Sequence, residues 1–375
     1  MKYLLNFIIT LSATLACAQN TIDLNIHARV DTTNKEVMEV VQLWKNYLSS
    51  SPDKIYDNPY WNEEEKAKYT DFDFTRSALY ALPAEQLLNY YKPTLLSVEK
   101  DDVHYVLRTI FNAEGLQGQY KKSNPWCITR VYAVNENGQW RLKNALPMIT
   151  ANWQQKTVGK ITFIYPADHD FNLELALDAT AFCDEVAKKF QFNDWQPFDY
   201  YIAKNGDELG ELLGFDFFFS GYTTGKGMVE SRILLSGIDS EWYPHEFIHI
   251  LVENKPRHRL IDEGFATWLG GTAGKTFDEG AYFLAEQLVE NKSITIYDIL
   301  NNWGREYAAF YTTGAIICNL VYEKGGVAAI KKLLNTAPDD EALFQTVCEL
   351  LDVKRNDLNQ FLRKETLKYL NPNHQ

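Results

Sequence analysis

The stretch Trp242–Leu269 holds the residues whose types and spacing could do chemistry. It contains His245, Glu246 and His249 in the order H-E-x-x-H, then Glu263 in the run D-E-G-F-A. On an α-helix, residues four apart lie on one face, so two imidazoles at that spacing can address a single ion. Zinc suits such a pair, because it takes nitrogen ligands at about 2.0–2.1 Å in tetrahedral geometry. Glu246 follows the first histidine directly and so lies beside the ion rather than on it. A carboxylate there can accept a proton from a water that the ion acidifies towards pKa ~7.

A third ligand follows from helix arithmetic. The helix of His249 is expected to run to about Asn254, where Lys255-Pro256 stops it. Five residues of helix rise roughly 7.5 Å. A turn through Arg257–Arg259 and a second helix from about Leu260 then bring Glu263 back level with His249. Glu263 becomes the third ligand and leaves the fourth position open, as a catalytic zinc site requires. Gly270-Gly271 closes that helix. The plainer reading is a chance motif with its histidines on a polar face. Against it, Phe247, Ile248, Ile250, Leu251 and Val252 make the helix apolar nearly all round. Such a helix is buried, and buried histidines and glutamates need partners.

From about Thr157 to the C-terminus the chain resembles the gluzincin metallopeptidases, the aminopeptidase N-like or peptidase MA-like clan. The resemblance rests on H-E-x-x-H followed by a helix reading E-G-F-A. Asp262 stands where the family usually has Asn, and the thirteen residues between His249 and Glu263 are fewer than in the aminopeptidases. A divergent peptidase MA-like member is therefore expected. The resemblance implies a thermolysin-like catalytic domain, a Zn2+ cofactor, and a peptide or protein substrate hydrolysed by a zinc-activated water with Glu246 as general base. Tyr311-Thr312-Thr313-Gly314 matches the family's Y-x-x-G pattern, whose tyrosine stabilises the oxyanion; Tyr307, one turn earlier, is the competing candidate. Asp262 is expected to support the site from behind the ligands. In such proteins an edge strand ahead of the metal helix pairs with extended substrate, and the candidate here lies in Tyr222–Leu235. Gly227-Met228-Val229-Glu230-Ser231 only faintly echoes the aminopeptidases' amine-binding signature. Glu230 is thus read as an exposed strand-end carboxylate, and an endopeptidase or oligopeptidase is favoured over an aminopeptidase. The reading from another class is a non-catalytic, zinc-stabilised peptide- or glycan-binding protein of the cell envelope.

The elements that must position these residues read as α+β. Residues 1–18 carry Lys2, an apolar core and Ala16-Cys17-Ala18, the pattern of a signal peptide. Export to the periplasm or the extracellular space is expected, with a lipid anchor at Cys17 as the alternative. Residues 19–155 read as a first α+β domain, and the order of its elements is similar to NTF2-like folds. Lys35–Leu48 is an amphipathic helix, Pro52–Thr70 an ordered loop and Ala84–Tyr91 a short helix ended by Lys92-Pro93. Strands are expected at Val103–Phe111, Trp126–Val134 and Gln139–Leu146, the last two joined by the hairpin signal Asn135-Glu136-Asn137-Gly138. His104 is read as packed or on the surface. Pro147–Lys156 marks the boundary to residues 156–375, the zinc domain, with strands at Val158–Tyr165, Phe198–Ala203 and Ser231–Ser236. There Asp170 is the expected cap of a helix running to about Phe190, and His169 is placed in the solvent-exposed capping loop. Beyond Gly271 the chain reads as all-helical.

With a net charge of −13 and no basic run, nucleic acid is not an expected partner. No stretch reaches eighteen consecutive apolar residues, so no transmembrane span is expected. Cys183, Cys318 and Cys348 sit in apolar helical runs, and buried free thiols are expected.

Overall fold

The computed structural model describes residues 24–50, 58–69, 72–78, 91–113, 125–192, 195–218, 221, 223–253, 255–305 and 308–371. The expected signal segment, most of the expected helix at Ala84–Tyr91, and Tyr307 lie outside the described residues. The architecture is mixed α+β. Its contacts form two compact units, Met1–Ala67 with Phe72–Lys143, and Lys68–Asp71 with Asn144–Gln375.

The first unit contains β1 (Asn25–Ile26), α1 (Lys35–Leu48), α2 (Glu63–Lys68), α3 (Phe74–Ala78), β2 (Tyr91–Asp101), β3 (His104–Ala113), β4 (Cys127–Glu136) and β5 (Gln139–Lys143). Asn34 starts α1 by accepting from the Glu36 and Val37 N–H groups, so two otherwise orphaned donors are satisfied. Strands β2 to β5 form an antiparallel meander, and β1 lies parallel to β2. Asn137 and Gly138 both take positive φ, 52° and 83°, as a two-residue turn between right-twisted strands demands. Trp44, Trp61, Phe72, Phe74 and Phe111 fill the core. The buried Trp44 Nε1–H donates to Thr109 Oγ1 at 2.9 Å. Two expectations are corrected here. Tyr91, expected as the last helical residue, and Lys92-Pro93 belong to β2. The ladder to β3 begins at Tyr91↔Ala113, so Pro93 sits near a strand end, where its missing N–H costs least. The Pro52–Thr70 stretch is not wholly loop, since α2 forms inside it.

The second unit opens with α4 (Ala145–Ile149) and the hairpin β6 (Gln154–Val158) and β7 (Ile161–Tyr165). Next come α5 (Leu173–Phe190), β8 (Phe198–Ile202), α6 (Gly206–Leu212), β9 (Phe215–Phe218), β10 (Gly225–Met228) and β11 (Ile233–Ser236). A five-stranded sheet runs β10-β11-β8-β7-β6. Its three central strands are parallel, and both edge strands pair antiparallel. Phe163, Tyr200 and Leu234 are fully buried in the core that the sheet shares with the helices. The rest of the unit is helical: α7 (Pro244–Leu251), α8 (Arg259–Gly270), α9 (Phe277–Glu290), α10 (Ile296–Leu300), α11 (Ala309–Leu334), α12 (Asp340–Leu351) and α13 (Leu358–Leu367). Helix α11 is kinked at Gly326, which takes φ 60° and ψ −153°.

Helix α5 is capped by Asn172, not Asp170. Asn172 Oδ1 accepts from the Glu174 and Leu175 N–H groups, while Asp170 lies in the turn before it. Helix α7 stops at Leu251, short of the expected Asn254. Two arginines explain the early stop. Arg232 Nη1 donates to the Ile250 carbonyl at 2.8 Å, and Arg257 Nη2 donates to the Glu253 carbonyl. These side chains satisfy carbonyls that another helical turn would have used. Cys127, Cys183 and Cys318 are buried free thiols, and burial pushes each above its usual pKa; Cys348 is a half-buried free thiol. Among the described residues no helix is long and apolar enough to cross a membrane.

Candidate metal centre

Pro244 opens α7, where a residue without an N–H and with fixed φ fits the first helical turn. His245 and His249 then fall one turn apart, with ring centroids separated by 5.1 Å. Helix α8 begins at His258, whose Nδ1 accepts from the Leu260 N–H at 3.1 Å while its Nε2 faces Asp340 Oδ1 at 2.9 Å. This start sets Glu263 so that Oε2 lies 3.4 Å from His245 Nε2 and 3.6 Å from His249 Nε2. One ligand atom from each of the three residues falls within 4.8 Å of the others.

Two glycine contacts hold the helices at this separation. A Cβ on Gly270 would meet the His245 backbone nitrogen at 2.4 Å, so the end of α8 is pressed against the start of α7. A Cβ on Gly264 would meet the Gly314 carbonyl carbon at 2.3 Å, and one on Gly314 would meet the Leu260 carbonyl oxygen at 2.1 Å. Helices α8 and α11 therefore cross glycine to glycine. Gly264 follows Glu263, and Gly314 lies one turn after Tyr311, so this crossing brings the glutamate and the phenol to the same place.

The residues fit zinc on the chemistry of their donors. With bonds of about 2.0–2.2 Å, a tetrahedral ion spaces its ligand atoms roughly 3.4 Å apart. The two measured histidine–glutamate separations, 3.4 and 3.6 Å, match that edge. They are too long for good hydrogen bonds. His245 Nδ1 lies 2.7 Å from the Gly271 carbonyl oxygen, which can only accept, so that nitrogen carries a proton and Nε2 is the nitrogen left to face the cluster as a ligand. His249 Nδ1 faces Asp262 Oδ2 at 3.5 Å, and Arg257 Nη1 holds the other Asp262 oxygen at 2.9 Å.

Burial pushes the Glu246 carboxyl above its usual range, with the Glu263 charge adding to the rise; His249, His245 and Lys226 oppose it. Among the described residues no hydrogen-bond donor holds the Glu246 carboxylate. The edge strand β10 lies over it: a Cβ on Gly225 would come within 2.4 Å of Glu246 Oε1. Burial works against a charge on His249, but Glu263, Glu246 and Asp262 outweigh it and raise the group to about 9. Burial would raise the Glu263 carboxyl too, yet the two histidines hold it well below the usual carboxylate range. Tyr311, in the first turn of α11, has its ring centroid 6.1 Å from that of His245. Its phenol is raised by burial and by Glu263, with Arg259 acting the other way.

The structure thus brings together His245, Glu246, His249, Asp262, Glu263 and Tyr311. Glu230 stands apart from this cluster, exposed just beyond β10. Sequence reasoning missed three residues. Tyr243, two before His245, has its hydroxyl 2.8 Å from Thr224 Oγ1 and is pushed up to about 12 by burial, with the Glu246, Tyr311 and Glu263 charges contributing. Gly225 leaves the room that the Glu246 side chain fills. Arg257 orients Asp262. Only Tyr243 carried a signal, its nearness to the motif.

His169 is corrected. It was expected in solvent, but its side chain is 4 % exposed and clamped between two carboxylates. Nδ1 lies 2.8 Å from Asp239 Oδ1 and Nε2 lies 2.9 Å from Glu241 Oε1. Burial disfavours its charge, but the two carboxylates raise its pKa above the ordinary value.

A scan against known protein families finds no model that matches this chain, and a search of curated proteins finds no match.

Proposed function

We propose that this chain is a zinc-dependent metallopeptidase of gluzincin type, with the second unit as its catalytic part. The observation that carries the reading is the single carboxylate oxygen of Glu263 at 3.4 and 3.6 Å from the two histidine Nε2 atoms. His245, His249 and Glu263 would hold the ion and leave one position open. When bound, zinc supplies Lewis acidity, polarising a carbonyl and lowering the pKa of water.

The chain's own residues supply the rest. Glu246, with no competing donor among the described residues and a carboxyl already raised by burial, accepts a proton from water and returns it to the leaving amine. Tyr311, whose ring lies beside that of His245, donates its O–H to the developing oxyanion in this reading; other donors of this kind contribute about 2.7–4 kcal/mol. Asp262, held by Arg257, steadies the His249 ring. Strand β10, the edge of the sheet among the described residues, offers backbone groups to an extended peptide beside Glu246. In this reading the α7–α8 pair and the sheet beside it correspond to a thermolysin-like catalytic domain. The helix and meander of the first unit, whose element order is similar to NTF2-like folds, dock substrate or serve as scaffold. Residues 1–18 direct export, with cleavage after Ala18 or lipidation at Cys17 as the two forms.

The test is zinc content by elemental analysis together with hydrolysis of a mixed peptide library, wild type beside Glu246→Gln. One zinc per chain in both proteins is expected, with cleavage lost by about 10²–10⁴-fold in the variant. Undiminished cleavage by Glu246→Gln would overturn the mechanism. Zinc without cleavage in either protein would favour a zinc-stabilised peptide-binding role.

A further inference from the structure

A cleft of about 690 Å³ opens at the C-terminal end of α7, and none of His245, Glu246, His249 or Glu263 lines it. Phe192, Trp195 and Leu334 form an apolar part of its wall, and Arg232, Arg257 and Lys331 bring positive charge. The volume falls within the range of roughly 300–1,000 Å³ typical of small-ligand sites.

The charges on this wall are unevenly matched. Arg232 gives its N–H groups to the carbonyls of Gln196, Pro197 and Ile250. Lys331 Nζ lies 3.4 Å from the Gln191 carbonyl and 3.2 Å from its side-chain oxygen. Among the described residues neither cation bonds a carboxylate. Arg257 pairs with Asp262, but its side chain is only 7 % exposed and its buried Nε has no hydrogen-bond partner among the described residues. Glu230 and Glu253 also line the cleft; both are exposed, and Glu253 is taken up by Lys255 at 2.7 Å. Neutral carbonyls satisfy hydrogen bonding but not charge, so an incoming anion gains charge-assisted bonds that nothing described there supplies.

We propose that this cleft binds a small carboxylate with an aromatic or branched apolar body. The apolar body packs against Phe192, Trp195 and Leu334, and the carboxylate meets Lys331 and Arg232. Arg257 in the wall of the cleft holds Asp262, which faces His249 Nδ1 at 3.5 Å.

Calorimetric titration of the full-length chain with phenylpropionate, and with phenylpropionamide as the uncharged isostere, tests the proposal without relying on activity. One acid per chain is expected to bind, with the amide at least about tenfold weaker. Lys331→Gln should bring the acid down to the level of the amide at unchanged melting temperature. Asn335→Trp, at the lining of the same cleft, should block both ligands. Equal binding of acid and amide, no saturable acid binding at millimolar concentration, or undiminished binding by Asn335→Trp would each overturn the proposal.

Discussion

Among the described residues of the second unit, the histidine–carboxylate clusters at His169 and at His245 are built on opposite plans. At His169 both ring nitrogens meet carboxylates at hydrogen-bond distance, 2.8 and 2.9 Å. Two carboxylates so placed favour a ring with a proton on each nitrogen, a form with no lone pair to offer, and raise its pKa; His169 is a clamp between the start of α5 and the segment before α7. At His245 one nitrogen is anchored by a neutral carbonyl at 2.7 Å, and the other faces a carboxylate at 3.4 Å. The neutral anchor fixes the tautomer, and the longer separation leaves room for an ion. What distinguishes a ligand from a clamp here is the second nitrogen's partner, not the presence of an acid nearby.

The most drastic way to break this comparison is to remove a ligand. His249→Ala should lose the bound zinc and all measurable hydrolysis, whereas His169→Ala should keep one zinc per chain; elemental analysis of the two purified variants decides it. Asp262→Asn is a gentler cut, because it alters only the group behind His249. A loss of about 10–100-fold in metal affinity is expected, read by competition with a chelator, with the fold intact. Gly264→Ala tests the helix crossing that the cluster needs and the clamp does not. Its Cβ meets backbone rather than a flexible side chain, so a cost of about 1–3 kcal/mol is expected, a fall of about 2–4 °C in melting temperature per kcal/mol.

The smallest effect concerns pH. The folded pKa of His169 lies above its unfolded value, so the clamp's stabilisation is complete below the ordinary histidine pKa of about 6.5 and is lost as pH rises through the folded value. Urea midpoints for wild type and His169→Asn should therefore differ most at mildly acid pH and converge at alkaline pH. A constant difference across that range would show that the clamp carries no net proton.

Much of the candidate metal cluster was legible because it is local. H-E-x-x-H fixes two rings on one helix, and the short route through Lys255-Pro256 leaves Glu263 little choice of position. The role of His169 was illegible for the opposite reason: Asp239 and Glu241 lie about seventy residues further along the chain, and no spacing rule links them. The same holds for Arg232, which takes the α7 carbonyl of Ile250, and Arg257, which takes the Glu253 carbonyl just beyond it, where the helix's own residues would have continued. The α+β class and the antiparallel meander were readable from alternation and from Asn137-Gly138. Strand β2 was hidden because Lys92-Pro93 reads as a stop signal, while the pairing that makes it a strand comes from β3.

The crossing of Gly264 over Gly314 has a thermodynamic consequence. Two backbones in direct contact cannot slide without parting, so Glu263 and Tyr311 share a single degree of freedom. The entropy of bringing them together is surrendered when the chain folds, not when an ion arrives. The metal-free protein should then keep its helical content and a cooperative melt, unlike small domains that collapse only around their zinc. Ion binding would meet a ligand set already in place, and its affinity would reflect the donors themselves rather than a folding transition.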